Sequence, residues 1–436
     1  MLFQSSVPAL FEKIGFALEA TANRERKEEQ AKRIDFYHGE QLVRLEEQLN
    51  ILFSDPSKMV LVELNIIKKI ILCLAQVYRE PPKRTIEGTD SDKELYQLMT
   101  EQCSLDIKLK QASRYTKLLK TILVRPVWRN NHLDIDIMTG NIVDVQTGDV
   151  PEDLKKVLIT DYGASEKIED IQYSLWTAEI YQRLNYKGNI IEEQANPYKV
   201  LPFIPFFDYM PTGSGFWLNG GSDLISMQEA INIKLTDLVY LIQQQSFGVG
   251  YIKGSQGAGN MRVDPGSLAE LPENGEIGFV SQNAEIKEVL EAIDKLIKWT
   301  GVTNGLSAGI LSTDPTEQSG VSKIVDSKEL SEMRSDDISF FRSYEKKLFN
   351  LMRIIWNKHN TKKLSDSAIL RIDFADQQTK GSPVEQATTN DLLMNMGVIT
   401  PVDIVMERNP DLRTREDALA FLLQLEEERK ALNITI

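Results

Sequence analysis

The stretch SDLISMQEAINIKLTDLVYLIQQQSF, Ser222 to Phe247, decides how this chain folds. Ser222 or Asp223 supplies an N-cap. Leu224, Ile225, Ile231, Leu235, Leu238, Val239, Leu241 and Ile242 spread apolar surface over most of the circumference of the helix that follows. At about 1.5 Å per residue such a helix spans roughly 40 Å. A helix that is apolar all round needs neighbours on every side. One chain offers few of them here, so packing between subunits is expected.

The elements that follow extend this pattern. Residues 248–282 break the helix, and Val249–Ile252 and Glu276–Val280 read as short strands in a Gly- and Pro-containing excursion. A second helix is predicted from Asn283 to Thr300, with Ile286, Val289, Leu290, Ile293, Leu296 and Ile297 at helical spacing. Its outer face places Glu291 before Lys295 and Asp294 before Lys298, each at i, i+4. Two long helices therefore flank a small β excursion. After a Gly-, Ser- and Thr-rich loop, a third helical pattern runs from Val321 to His359, with Leu330, Met333, Phe341, Leu348, Met352 and Ile355 on its apolar stripe and Asp337 at the edge. A strand (Ala368–Phe374), a linker (Asp376–Pro383), a helix capped by Thr400 with Pro401 at its first position, and a final amphipathic helix over 414–432 complete the chain.

Toward the N-terminus, Phe11, Ile14 and Leu18 mark a short amphipathic helix, and 23–52 reads as helical. Met59–Tyr78 is predicted to be one strong buried helix, stopped by Pro81 and Pro82. Helices follow over 91–103 and 106–121. From 122 to 207 the period shortens. Val124, Val127, Leu133, Ile135 and Ile137 alternate, Thr139-Gly140-Asn141 turns, and Ile142–Val145 is the expected return strand. A short helix is predicted from Asp149 to Leu158, then a strand pair made by Tyr173–Leu184 and Ile190 onward. Pro202 and Pro205 make 196–209 an extended connector. The expected class is mainly α with one α+β module.

Composition excludes several functions. The chain has 436 residues, suiting two to four domains, and 42% hydrophobic against 26% charged residues builds a sizeable core. Fifty basic against 64 acidic residues leave a net charge of −14, which argues against a tight DNA clamp but permits an acidic wall that DNA slides past. Cys73 and Cys103 make no disulfide framework, and Cys73 is expected as a buried thiol. The opening residues carry no signal-peptide pattern, and Glu63, Lys68 and Lys69 interrupt the longest apolar run, so a soluble, intracellular chain without a membrane span is expected. His38, His132 and His359 are scattered, there is no HExxH, CxxC or Gly-Lys-Ser/Thr, and the Gly254–Gly259 stretch reads as a flexible turn. Asp134 and Asp136 share a strand face opposite Leu133, Ile135 and Ile137 and read as a solvated face. Neither an enzyme nor a cofactor is expected.

Tyr37-His38-Gly39-Glu40, Asn65 to Lys69, Leu201-Pro202-Phe203-Ile204-Pro205-Phe206, Ser222 to Ile225 with Ala230-Ile231-Asn232, Thr300-Gly301-Val302, Ser319-Gly320-Val321 and Met396-Gly397-Val398-Ile399-Thr400-Pro401 occur in an order that resembles the portal proteins of tailed double-stranded DNA bacteriophages. The resemblance covers about residues 30 to 410 and is strongest to portals of Thermus-infecting siphophages. Each motif alone is weak; their order and the helix–excursion–helix layout are more specific. The resemblance implies a ring subunit, usually one of twelve, at one capsid vertex of the virion, assembled in the host cytoplasm. It implies double-stranded DNA passing through a channel, a terminase large subunit docking outside to supply ATP hydrolysis, capsid and scaffold proteins around the ring, and head-completion adaptors on the clip. It divides the chain into an N-terminal segment (1–25), wing (26–221 with 360–377), first stem helix (222–247), clip (248–282), second stem helix (283–301), tunnel loop and long helix (302–359) and crown (378–436).

The residues singled out follow from that division. Val321, Ile324 and Val325 open the long helix and either touch DNA in the channel or bury against the wing. Lys253 and Arg262 are placed in the clip, to meet DNA or motor, or as plain surface charge. Lys287, Lys295 and Lys298 either meet passing phosphates or pair along their own helix. Two rival classes are a non-enzymatic helical adaptor that closes no ring, and a metal-dependent hydrolase or nuclease using Asp134, Asp136 and Asp373.

Overall fold

The computed structural model describes residues 20–53, 59–163, 167–247, 249–253, 276–280, 286–311, 320–374, 383–409, 412 and 414–431. They belong to two compact units, one of residues 1–315 and 328–375, the other of 316–327 and 376–436. The expected helix around Phe11, Ile14 and Leu18 lies outside the described residues.

The first unit opens with α1 (Ala20–His38) and α2 (Leu42–Leu52), separated at Gly39, whose φ of +90° suits glycine. The predicted helix Met59–Tyr78 shrinks to α3 (Ile66–Leu74), and residues 60–65 run irregularly before it. The reason is tertiary: the backbone N–H groups of Val62, Leu64, Ile66 and Ile67 bond to side chains of a distant helix instead of to their own turn. Ile67, Ile70 and Ile71 of α3 are fully buried, each stabilising by about 1.5–3 kcal/mol. Strand β1 (Lys83–Glu87), absent from the sequence reading, precedes α4 (Asp90–Gln102) and α5 (Leu105–Leu119). A capping box between Thr89 and Asp92 starts α4.

Two antiparallel sheets follow. β2 (Thr121–Arg129) turns at Asn130 and Asn131, both at positive φ, into β3 (His132–Thr139), while β9 (Ile204–Phe207) pairs on the other side of β2. Two consecutive left-handed residues are what a tight two-residue hairpin requires. The expected return strand thus has a different partner: β4 (Val143–Thr147) starts a five-stranded sheet in the order β4-β5-β6-β7-β8. The helix predicted at Asp149–Leu158 is instead β5 (Leu154–Asp161), whose β-branched Val157 and Ile159 fit between β4 and β6. Tyr173–Leu184 is itself a hairpin of β6 (Gln172–Trp176) and β7 (Ile180–Asn185), followed by β8 (Ile190–Ala195). Pro205 sits on edge strand β9, where its missing N–H does least harm.

The helix that opened this account is α6 (Ser222–Phe247), and β10 (Val249–Lys253) and β11 (Glu276–Val280) pair antiparallel before α7 (Ile286–Thr303) returns against α6. A 40-residue α8 (Gly320–His359) and β12 (Ile369–Asp373), paired with β1, follow. The second unit contains α9 (Pro383–Asn395), α10 (Pro401–Arg408), with the expected Thr400 cap and Pro401 start, and α11 (Arg415–Ala431). The chain is α plus β, with more antiparallel sheet than the mainly α expectation. Cys103 is buried and Cys73 only partly so, because Cys73 stands at the margin of the α3 face. Among the described residues no helix is long and apolar enough to cross a membrane.

Candidate assembly and channel surface

Three polar residues of α6, Gln228, Asn232 and Thr236, recur every four residues and are almost wholly buried. Gln228 Oε1 accepts the N–H groups of Ile66 (2.9 Å) and Ile67 (3.2 Å), and its Nε2 donates to Leu64 O (2.6 Å) and Asn232 Oδ1 (2.9 Å). Asn232 Oδ1 accepts Leu64 N–H, its Nδ2 donates to Gln41 Oε1, and Thr236 Oγ1 accepts Val62 N–H. The ladder satisfies the backbone of an irregular segment that would otherwise be buried with unpaired donors. A polar i, i+4, i+8 series inside an apolar helix was the available signal for it.

This arrangement revises the expectation for α6. Leu224, Ile225, Ile231 and Leu238 find neighbours within the chain, among them α2, α3 and α7. Among the described residues of α6, Ile242 is the large apolar side chain with the most exposure, at 42%. The long-range partners 59–67, which local pattern does not reveal, supply the neighbours that the helix needs.

Helix α7 buries Ile293, Ile297, Thr300 and Gly301 and turns its charged side outward. Lys298 pairs with Asp294 at 2.5 Å, as expected from the spacing. Glu291, however, faces Lys287 at 3.9 Å rather than Lys295, leaving Lys295 exposed with no ion-pair partner among the described residues. Lys is mixed with acid along this face, so it carries little net charge. Leu290, Trp299 and Val302 are each about half exposed around the same surface.

Helix α8 is fixed by buried charge that sequence reasoning missed. Glu345 receives Arg84 Nε at 2.6 Å, Arg84 Nη2 at 3.1 Å and the Tyr78 hydroxyl at 2.7 Å. Burial, then the Glu345 carboxylate, raises the Tyr78 phenol far above its ordinary range. Lys117 bridges Asp337 (2.8 Å) and Asp208 (2.9 Å). Burial pushes the Asp337 carboxyl up to about 6 against the opposing pull of Lys117. The Tyr344 hydroxyl donates to Phe207 O and accepts Phe207 N–H, closing the outer edge of β9. No local pattern announces such contacts, since their partners lie 91 to 267 residues apart.

The other singled-out residues are dispersed. Lys253 ends β10, at the hairpin, and Val321, Ile324 and Val325 lie in the first turns of α8, their side chains outside the described set. Arg262 lies outside the described residues. Asp134 and Asp136 are not a freely solvated pair: Asp134 meets Lys108 and Arg129, and Asp136 meets Arg125 and Arg129, because β2 and α5 bring cations to that face. Asp373 ends β12 in a separate two-stranded sheet.

No family model matches the sequence, and no curated protein matches it. Among solved structures, chains of gene transfer agent particles are similar in part. A chain of the native particle's virion is 11% identical with a TM-score of 0.38, and one from the neck of the native particle, computed with C12 symmetry, is 11% identical with a TM-score of 0.41. A chain from the neck of the empty particle, computed with C6 symmetry, is 9% identical with a TM-score of 0.38. Each comparison covers 77% of this chain and 87% of the other.

Proposed function

We propose that this chain is the repeating subunit of a phage-type portal: a ring at one capsid vertex that conducts double-stranded DNA during packaging and ejection. The observation that carries the reading is the succession of α6, the β10–β11 hairpin, α7 and the 40-residue α8, in the chain order in which the sequence resembles a portal's stem, clip, stem and tunnel helix. In this reading 26–221 with 360–377 is the wing, 248–282 the clip and 378–436 the crown. The balanced charge on α7 supports a wall along which DNA moves, because each phosphate neutralised by an unpaired cation would add affinity and slow passage. Lys295, which has no acid partner among the described residues, is the one of the three best suited to a transient phosphate contact. Val321, Ile324 and Val325 line the channel entrance to α8, and Lys253 and Arg262 offer positive charge at the clip to DNA or the docked motor. The ring performs no chemistry and holds no cofactor; a terminase large subunit supplies ATP hydrolysis, head-completion adaptors follow it on the clip, and capsid and scaffold proteins surround the wing.

Native mass spectrometry with negative-stain imaging tests this. A species of twelve subunits of 49.5 kDa, or one subunit more or fewer, with a central hole, is expected. A chain that stays monomeric or dimeric at high concentration overturns the ring and leaves a non-conducting helical adaptor.

A further inference from the structure

Side chains close the outer edges of β3, β4 and β9. Gln102 Oε1 accepts Leu133 N–H and Lys108 Nζ donates to Ile135 O along the outside of β3. Arg26 donates to Val143 O at the outside of β4, and Tyr344 closes β9. Two open edges of the first unit stand out. β8 (Ile190–Ala195) ends the five-stranded sheet and is exposed at every position, including Ile190 and Ile191. β1 pairs only with β12, and along it lies a cavity of about 670 Å³ lined by Arg84, Thr85, Ile86, Tyr96, Leu105 and Ile107. The Tyr96 hydroxyl is buried beside this cavity with no hydrogen-bond partner among the described residues, and Ile107 is 72% exposed at its rim. An open strand edge with unpaired backbone groups, flanked by a groove, is a template for one more strand.

We infer that β8 of one copy of this chain adds to β1 of the next, antiparallel, so that neighbouring copies share a continuous sheet. This rests on the ring reading and names one of its contacts. The sequences fit this register: Arg84 lies opposite Glu193, Thr85 opposite Glu192, and Ile86 opposite Ile191. Lys83, exposed at the start of β1, lies diagonal to Glu192 of β8, while the Arg84 guanidinium stays with Glu345 and Asp106. The alternative of β8 pairing with itself sets Glu192 against Glu193 on both sides, and like charges directly opposite are unfavourable. β12 also has an open edge, but the cavity is lined from β1, not from β12. A contact between two different edges is heterologous, the type that closes a ring when its rotation permits.

The full-length chain tests this by hydrogen exchange before and after assembly, with native mass spectrometry reporting the ring in the same samples. Amides of 83–87 and 190–195 are expected to slow at least about tenfold on assembly, as local opening is suppressed. Thr85→Cys with Glu192→Cys, and separately Lys83→Cys with Gln194→Cys, are expected to give ladders of oxidised multimers, whereas each single substitution stays unlinked. A ring that forms with unchanged exchange in both strands overturns the pairing and leaves the ring reading standing. Dimers from Glu192→Cys alone overturn it in favour of self-pairing. Absence of any ring removes the ring reading and this contact with it.

Discussion

Gln228 Oε1 accepts the backbone N–H of Ile66 at 2.9 Å across 162 residues of sequence. That bond, and the Ile67 N–H beside it, satisfies two of the donors that open α3 and that no turn of the helix itself can reach. Gln228 thus ties the start of α3, which Asn65 caps through the Lys68 N–H, and the segment before it to α6.

Gln228→Leu keeps volume but removes both acceptor and donor. It leaves the buried Ile67 N–H without its acceptor, while the Ile66 N–H and the Leu64 carbonyl keep each other at 2.9 Å and each lose a second partner. The orphan costs about 1–3 kcal/mol and each of the two lost second bonds about 0.5–1.5 kcal/mol, so a loss of about 2–5 kcal/mol is expected in denaturant unfolding. Thr236→Val, which orphans only Val62 N–H, is expected to cost about 1–2 kcal/mol. Equal effects of the two substitutions would contradict the ladder.

Glu345→Gln removes the charge that faces Arg84 and Tyr78 inside the first unit. Breaking one partner of a buried ion pair costs about 3–5 kcal/mol because the other charge stays buried. Arg84 retains Asp106, at 52% side-chain exposure, which limits the loss to the lower part of that range. Thermal unfolding of the variant measures it.

Asp92 accepts Thr89 N–H and the Thr89 hydroxyl, and also Ser365 N–H and the Ser365 hydroxyl, joining the start of α4 to the segment before β12. The Ser365 N–H bond, aided by the Thr89 contacts, holds its carboxyl down at about 2. Because the folded value lies below the unfolded one, its contribution is fully present above about pH 4 and is lost as pH falls toward 2. Asp92→Asn is expected to destabilise by about 1–2 kcal/mol at pH 7 through the weakened cap. Its acid-unfolding curve between pH 4 and 2 should be flatter than that of the unmodified chain.

Asp337 has the opposite sign. Its carboxyl, raised to about 6, holds a proton more tightly folded than unfolded. On this group's account stability rises as pH falls from about 7 through 6 toward 4. Asp337→Asn abolishes that segment of the pH profile, measured as denaturant midpoint against pH.

Asp294→Ala breaks a surface pair with Lys298 whose members are each 34% exposed. Helical pairs of this kind contribute about 0.3–0.5 kcal/mol. Stability should therefore hardly change, while, if the chain forms the proposed ring, the freed Lys298 should steepen the salt dependence of its DNA retention. Retention insensitive to salt would remove α7 from the channel.

The sequence by itself determined the elements whose signal is local. The 3.6-residue period placed α6 and α8 within a residue of their observed ends, Thr400 and Pro401 marked α10, and the alternating runs beside Gly located β10 and β11. It also placed Lys298 beside Asp294, since i and i+4 meet on any helix. Tertiary structure decided what depends on partners far along the chain. Residues 60–65 have a helical composition, yet Thr236 and Asn232 accept the Val62 and Leu64 N–H groups and Gln228 donates to the Leu64 carbonyl. Leu154–Asp161 reads locally as a helix end, yet β4 and β6 on either side made it a central strand. β1 is too short to announce itself and exists because β12, nearly 300 residues away, pairs with it. A helix closes its own hydrogen bonds within four residues and so writes itself into local sequence, whereas strands and buried polar ladders close theirs across the fold, and only the folded chain brings those partners together.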